Sequence, residues 1–266
     1  MRNSWDHHLF FKLHSLTILL MKYFGLLLIL VSFSIHGQDH HLRYASIDIQ
    51  HYHFEIALSD SSDVIWCRAT LDIRFKKELR EFNLDLTGVN PEGSGMTIDM
   101  LTENGNKIAH IHSGEEIRIS VQGIQVDEIR RYEISYHGIP TDGLIISENK
   151  FGDRTFFGDN WPNRAHHWLP VVDHPSDKAT LEFLVHAPSH YGVVANGSKI
   201  SEVKDGDWTT SHWATSTILP TKLMVIGVSP FAVDTFSSSS GIPISSWVYP
   251  QNRDEGFYDY RIADWS

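Results

Sequence analysis

Residues 45–75 read ASIDIQHYHFEIALSDSSDVIWCRATLDIRF, and the spacing of their apolar positions decides the fold class. Tyr52, Phe54, Ile56 and Leu58 recur at every second position, which places them on one face of an extended chain. Earlier in the run Ile47 and Ile49 fall on the opposite parity, with His51, His53, Glu55 and Ala57. Residues 59–63 (SDSSD) form a turn cluster, and residues 64–75 alternate again, with Ala69, Leu71, Ile73 and Phe75 sharing a face. Two such runs around a short polar turn predict an antiparallel hairpin.

The same pattern continues outward. Residues 81–86, 97–101, 107–111, 116–121 and 130–136 alternate in short segments, and Asn104–Gly105 carries the sequence of a type I′ turn. No amphipathic helix interrupts residues 45–137. Downstream, residues 179–186, 191–195, 208–213, 223–228, 231–236 and 244–249 read as further strands, with a turn at Asn196–Gly197. Asn196–Gly197–Ser198 is also a glycosylation sequon, but the turn reading accounts for it. Many short, mostly antiparallel strands between Gly, Asn, Asp and Pro punctuation predict an all-β, sandwich-like domain.

The amino end is of another kind. Residues 21–38 (MKYFGLLLILVSFSIHGQ) hold a lysine, an apolar run and then small or polar residues, the layout of a secretory signal peptide cleaved near Gly37–Gln38. Residues 1–20 precede it awkwardly and read as a spurious extension, with translation starting at Met21. The competing reading is one signal anchor over residues 15–35, broken by Lys22. No cysteine stands near Gly37 to take a lipid. The expected organisation is therefore 1–37 signal peptide with its extension, 38–250 β domain, and 251–266 linker and start of a further domain that is missing. The chain is read as exported to the periplasm, the cell surface or the medium.

Net charge bounds the partners. The whole chain carries −11, and loss of residues 1–37 removes Arg2, Lys12, Lys22 and Asp6 and leaves −13. An acidic surface argues against nucleic-acid binding. The apolar run is short for a membrane span, and the mature chain is expected to have none. Cys67 is the only cysteine, so no internal disulfide forms; it is read as a small buried side chain.

Residues 156–178 (FFGDNWPNRAHHWLPVVDHPSDK) concentrate two tryptophans, three prolines, three histidines and three aspartates. Pro162, Pro170 and Pro175 exclude a regular helix, and so long and elaborate a loop points to binding or catalysis. Asp173 and Asp177 flank His174–Pro175 and suit either acid–base chemistry or turn initiation; Lys178 is expected to pair with one of them. The pairs His51/His53 and His110/His112, two apart on strands, point to one side and offer a metal clamp, though half-exposed strand histidines need no metal. No histidine is followed by glutamate, and no Gly-x-Ser-x-Gly, Cys-x-x-Cys or phosphate loop occurs.

Arg164-Ala165-His166-His167-Trp168-Leu169-Pro170, followed by Asp173-His174-Pro175-Ser176-Asp177-Lys178-Ala179-Thr180, resembles the landmark of the aminopeptidase N family of zinc metallopeptidases. His51-Tyr52-His53-Phe54 is similar to that family's opening strand, Ala187-Pro188 through Asn196-Gly197 to its next conserved stretch, and Trp247-Val248-Tyr249-Pro250 to the strand that leads into the catalytic domain. The resemblance covers about residues 45–256. It implies a saddle-shaped amino-terminal β domain that packs on a thermolysin-like catalytic domain. The Gly-x-Met-Glu-Asn loop and the His-Glu-x-x-His zinc helix of that second domain are absent from this chain. Zinc is accordingly expected there and not here, with no catalytic or metal residue in this chain, which is expected to be inactive alone. The family's β domain lends a Gln or Glu that holds the substrate's amino terminus. The corresponding position falls near Asp159-Asn160-Trp161, where Asp159 could pair with an ammonium and Asn160 accept a hydrogen bond from it, or both could simply turn the chain.

The reading is an amino-terminal β domain of an exported zinc aminopeptidase, ending at the start of a missing catalytic domain and meeting peptide substrate through it. A fragment of this kind should expose an apolar face. Two alternatives stay open: a stand-alone peptide- or carbohydrate-binding module with Trp161, Trp168, Trp208 and Trp213 as a platform, and an adaptor that kept the β domain and lost the peptidase.

Overall fold

The structure, a computed structural model, describes residues 44–238 and 240–261, which belong to one compact unit, His41–Ser266. Residues 1–43, where the signal peptide and its extension are expected, and the last five residues lie outside the described residues. Seventeen strands follow in chain order among those described. They are β1 (Ile47–Ala57), β2 (Ile65–Phe75), β3 (Glu81–Asp85), β4 (Gly95–Glu103), β5 (Asn106–Lys107), β6 (His110–Ser113), β7 (Glu116–Ser120), β8 (Ile129–Ile139), β9 (Leu144–Glu148), β10 (Arg154–Gly158), β11 (Lys178–Pro188), β12 (Gly192–Ala195), β13 (Ser198–Asp205), β14 (Trp208–Pro220), β15 (Ile226–Ser229), β16 (Ala232–Ser237) and β17 (Pro243–Val248). A short helix, α1 (Arg253–Tyr260), closes the described chain. It occupies residues that the sequence reading assigned to a linker. The class is all-β, as the alternation required.

An eight-stranded sheet runs β13-β14-β11-β1-β2-β8-β4-β5, beside sheets ordered β12-β15-β10-β9 and β3-β7-β6 and the hairpin β16-β17. The predicted hairpin is the antiparallel pair β1–β2. Its register shifts between Ile49 and His51, so Gln50 is an extra, bulged residue. That bulge resolves the change of parity in the sequence. Ile47 and Ile49 before it, and Tyr52, Phe54, Ile56 and Leu58 after it, all reach the same core. Asn104 and Gly105 both adopt positive φ (47° and 80°), the backbone of the type I′ turn.

One pairing was not visible in the pattern: β1 lies parallel to β11, from His51 opposite Thr180 to Ala57 opposite His186. The core beneath is aromatic, with Phe54 between Tyr52 (5.3 Å) and Phe183 (5.7 Å), and Trp168 stacked on Phe183. The loop that precedes β11 therefore reaches the centre of the domain.

Candidate functional site: the loop between β10 and β11

The sequence from Asp159 to Asp177 is fixed by its polar side chains. Ala165–His167 form one 3-10 turn. Asn160, only 1% exposed, donates from its amide to the carbonyls of Thr221 (3.2 Å) and Met224 (2.6 Å), and its Oδ1 accepts from Trp168 Nε1 (2.9 Å). Trp168 is fully buried, and its carbonyl accepts from Tyr136 Oη (3.0 Å). Gly143, at φ +74°, passes so close that a Cβ there would lie 2.1 Å from the Arg164 carbonyl oxygen, which only glycine avoids. Its own carbonyl accepts from the Asp159 amide (2.6 Å).

Asp173 is the second anchor. Its carboxylate accepts from Thr221 Oγ1 (2.7 Å), the His166 amide (3.2 Å) and His166 Nδ1 (2.7 Å). The Asp173 amide donates to Asp85 Oδ2 (2.8 Å), and Tyr44 Oη donates to Asp85 Oδ1 (2.7 Å). Burial works against the imidazolium of His166, but Asp173, with Glu115 and Asp85 behind it, outweighs burial and holds the ring above its ordinary value of 6.5. Burial, only partly offset by hydrogen bonds from the Asp173 amide and Tyr44, raises Asp85 to about 6. Asp177 accepts from the Ile49 amide (3.3 Å), its Oδ2 has no hydrogen-bond partner among the described residues, and burial raises it to about 7.

These contacts assign the alternatives. Asp173 and Asp177 serve the chain itself, and neither is ion-paired with Lys178, which is exposed. His112 Nε2 lies 2.9 Å from the Leu86 carbonyl, so the His110/His112 pair is not a clamp. His167 Nδ1 is engaged by Thr87 (3.0 Å) and Thr141 (2.8 Å). Cys67 is buried, and burial pushes its thiol up to about 12, far from a nucleophile. Trp168 and Trp213 are buried, so the four tryptophans form no common platform.

Of the three residues expected to meet substrate, Asn160 is enclosed and both of its donors are spent. Asp159 and Trp161 stand at the surface. The Asp159 side chain is 53% exposed and takes one ion pair from Arg164 (2.6 Å), which also reaches Asp142 (3.2 Å) and donates to the Trp161 carbonyl (2.6 Å). Trp161 is 60% exposed, joined to Pro162 by a cis peptide, and the Lys222 ammonium lies 4.5 Å from its ring centroid. The loop thus presents a carboxylate, two cations and an indole on a rigid base. Arg164 and Lys222 escaped the sequence reading of the site, because nothing in the spacing told that they fold back on Asp159 and Trp161.

An all-β domain whose proline-rich loop is locked by buried Asn, Asp and His groups defines the class. The family model of the Peptidase M1 N-terminal domain matches residues 49–223, and the chain belongs to that family. It is 21% identical over 229 residues to the glutamyl aminopeptidase of Rattus norvegicus, and 29% identical over 106 residues to that of Homo sapiens. The match covers 80% of this chain and 24% of the rat protein. Its fold is also that of an M1 zinc metallopeptidase from Deinococcus radiodurans, at a TM-score of 0.62 and 22% identity, over 72% of this chain and 44% of the other. A two-domain M1 zinc metallopeptidase mutant bound to L-tryptophan gives 0.63 at 20% identity, covering 76% of this chain and 47% of that one.

The donors of the described residues do not fit the zinc centre of a peptidase. Among the described residues, the groupings able to hold a metal are His51–His53–Glu182 and Glu115–His166–His167. Neither places two histidines one turn apart on a helix with a glutamate between them. No helix of the described residues is long and apolar enough to cross a membrane.

Proposed function

We propose that this chain is the substrate-side β domain of an exported zinc aminopeptidase that removes amino-terminal residues from peptides. The zinc, its ligands and the water-activating glutamate would come from a catalytic domain packed against it. The observation that carries the reading is the locked loop: buried Asn160 and Asp173 fix a family landmark in place and leave Asp159 and Trp161 facing outward. A rigidly held carboxylate beside an indole suits the ammonium of a peptide's first residue. Arg164 competes for Asp159, so substrate binding would exchange one cation for another.

Two measurements test this. The purified chain should not release arylamine from aminoacyl-arylamides with zinc present, and chelator-sensitive turnover by the chain alone would contradict the proposal. In the assembled enzyme, Asp159→Ala or Trp161→Ala should raise KM roughly tenfold while changing kcat less, an effect of about 1.4 kcal/mol. An unchanged KM for both variants would remove the loop from substrate binding. Export predicts that the protein recovered outside the cytoplasm begins at Gln38, which amino-terminal sequencing reads directly.

A further inference from the structure

The outer face of the eight-stranded sheet is polar, and its histidines are not scattered. On β1, His51 and His53 point the same way, as residues two apart on a strand must. On β11, the neighbouring parallel strand, Glu182 stands directly opposite His53, and Thr180 opposite His51. Glu182 is the hub. Its Oε2 lies 3.3 Å from His53 Nδ1 and 3.0 Å from His212 Nε2, and its Oε1 lies 3.8 Å from His51 Nε2. We infer that His51, His53 and Glu182 form a binding site for a divalent transition-metal ion on this face.

Hydrogen-bond bookkeeping supplies the first argument. The single hydroxyl proton of Thr180 is directed at the Gln50 carbonyl (3.1 Å). Thr180 Oγ1 therefore meets His51 Nδ1 (2.8 Å) as an acceptor, which places the ring proton on Nδ1. In neutral His51 the lone pair of Nε2 then faces the Glu182 carboxylate, an arrangement that a proton or a metal ion between them makes favourable. A hydroxyl or carbonyl partner on the far ring nitrogen is also how ligand histidines are held in the correct tautomer.

Geometry supplies the second. One donor atom from each of His51, His53 and Glu182 lies within 4.8 Å of the other two. Tetrahedral zinc with bonds of about 2.0–2.1 Å needs donors roughly 3.3 Å apart. The nearest approaches to Glu182, each to a different carboxylate oxygen, are 3.3 and 3.8 Å, and the side chains are a quarter to a third exposed, which leaves room to close the remainder. Two imidazoles and one carboxylate suit zinc, cobalt, nickel or copper better than calcium or magnesium. Competing cations are accounted for: Arg131 is held by Asp72, and Arg68 reaches Glu55. His212 and Glu55 stand behind the site as partners of Glu182 and His53. The ion would clasp β1 to β11, strands about 130 residues apart in sequence, at the parallel pairing of the sheet.

Titration calorimetry of the purified chain, stripped with chelator, with zinc chloride and separately with cobalt chloride tests the site. One ion per chain should bind, cobalt should show the intense visible bands of a tetrahedral N/O site, and zinc should raise the melting temperature by several degrees. His51→Gln, His53→Gln and the isosteric Glu182→Gln should each weaken binding at least tenfold and abolish the thermal shift, with circular dichroism confirming the fold. His167→Gln, in the other histidine grouping, should leave binding unchanged. Binding that survives all three substitutions, that follows His167 instead, or that is lacking in the stripped chain would overturn the proposal.

Discussion

At the scale of single residues, the loop between β10 and β11 is held from within by its own buried polar side chains. Asn160 spends its amide on two groups that would otherwise be stranded in the interior, Trp168 Nε1 and the Met224 carbonyl, and adds a second donor to the Thr221 carbonyl, which also accepts from the Met224 amide. Asn160→Ala should therefore cost about 2–4 kcal/mol in chemical denaturation, because several buried groups lose their partners at once; a loss below about 1 kcal/mol would mean that the loop does not depend on it. The buried acids give a pH dependence of definite sign. His166 gains the Asp173 partner on folding, so its contribution is complete below 6.5 and is lost as pH rises through its higher folded value. Asp177, raised from 3.8 to about 7, keeps a proton in the folded chain that the unfolded chain releases, so stability falls across that window; Asp85, raised to about 6, acts in the same direction. Urea denaturation should thus show the domain less stable at pH 8 than at pH 5. Asp177→Asn should flatten the difference by an amount of order 2–4 kcal/mol, since each tenfold change in proton affinity is worth about 1.4 kcal/mol. A stability that rises with pH, or an unaltered slope in the variant, would contradict the assignment.

At the scale of elements, legibility followed burial. Strands with one face in the core announced themselves by alternation, as β2 and β11 do, and the Asn104–Gly105 turn was plain because positive φ demands such residues. What stayed hidden has no side-chain signature. All eight residues of β13 are exposed, so it is a strand only through its ladder with β14. The parallel β1–β11 pairing depends on strand order, which periodicity does not encode. In the candidate site, Asp159 and Trp161 were legible as exposed loop residues. Asn160 was not legible as a buried tie, because its partners Thr221 and Met224 are some sixty residues away. The bulge at Gln50 turns this into an experiment. Deleting Gln50 leaves Ile49, His51 and Tyr52 in regular alternation, so every core residue of β1 keeps its side; deleting Glu55 has no bulge to absorb it and reverses one half of the strand. The first deletion should give a folded, somewhat weakened domain by circular dichroism and thermal melting. The second should give insoluble or unfolded protein, and equal behaviour of the two would refute the register argument.

At the scale of the whole molecule, the four-stranded sheet β12-β15-β10-β9 leaves one face thinly covered. Across it run Val194, Gly227, Phe157 and Ile145, paired strand to strand. Phe231, Trp247 and Tyr249 gather over one end, with Phe231 6.2 Å from Phe157, 5.6 Å from Trp247 and 6.4 Å from Tyr249. Gly192 packs closely under this cap, where a Cβ would lie 3.4 Å from both Phe231 and Trp247. Ile145 remains 41% exposed, and Trp161 and Leu223, from the loop and from the turn that follows β14, are exposed as well. Apolar side chains of this size, left open on an acidic chain, are what a neighbouring domain would cover. The net charge of −11 limits nonspecific clumping, so association through this face should be saturable and depend on concentration. Light scattering of the purified chain should show reversible self-association at micromolar concentration and above, strengthened by salt, which screens the like charges and leaves the apolar contact intact. Ile145→Glu, at the exposed end of the strip on the edge strand β9, should shift the species toward monomer without changing the melting temperature by more than a few degrees. A wild-type chain that stays monomeric at every concentration would mean that this face is already satisfied by its own residues, and the case for a packed catalytic partner on it would fall with that result.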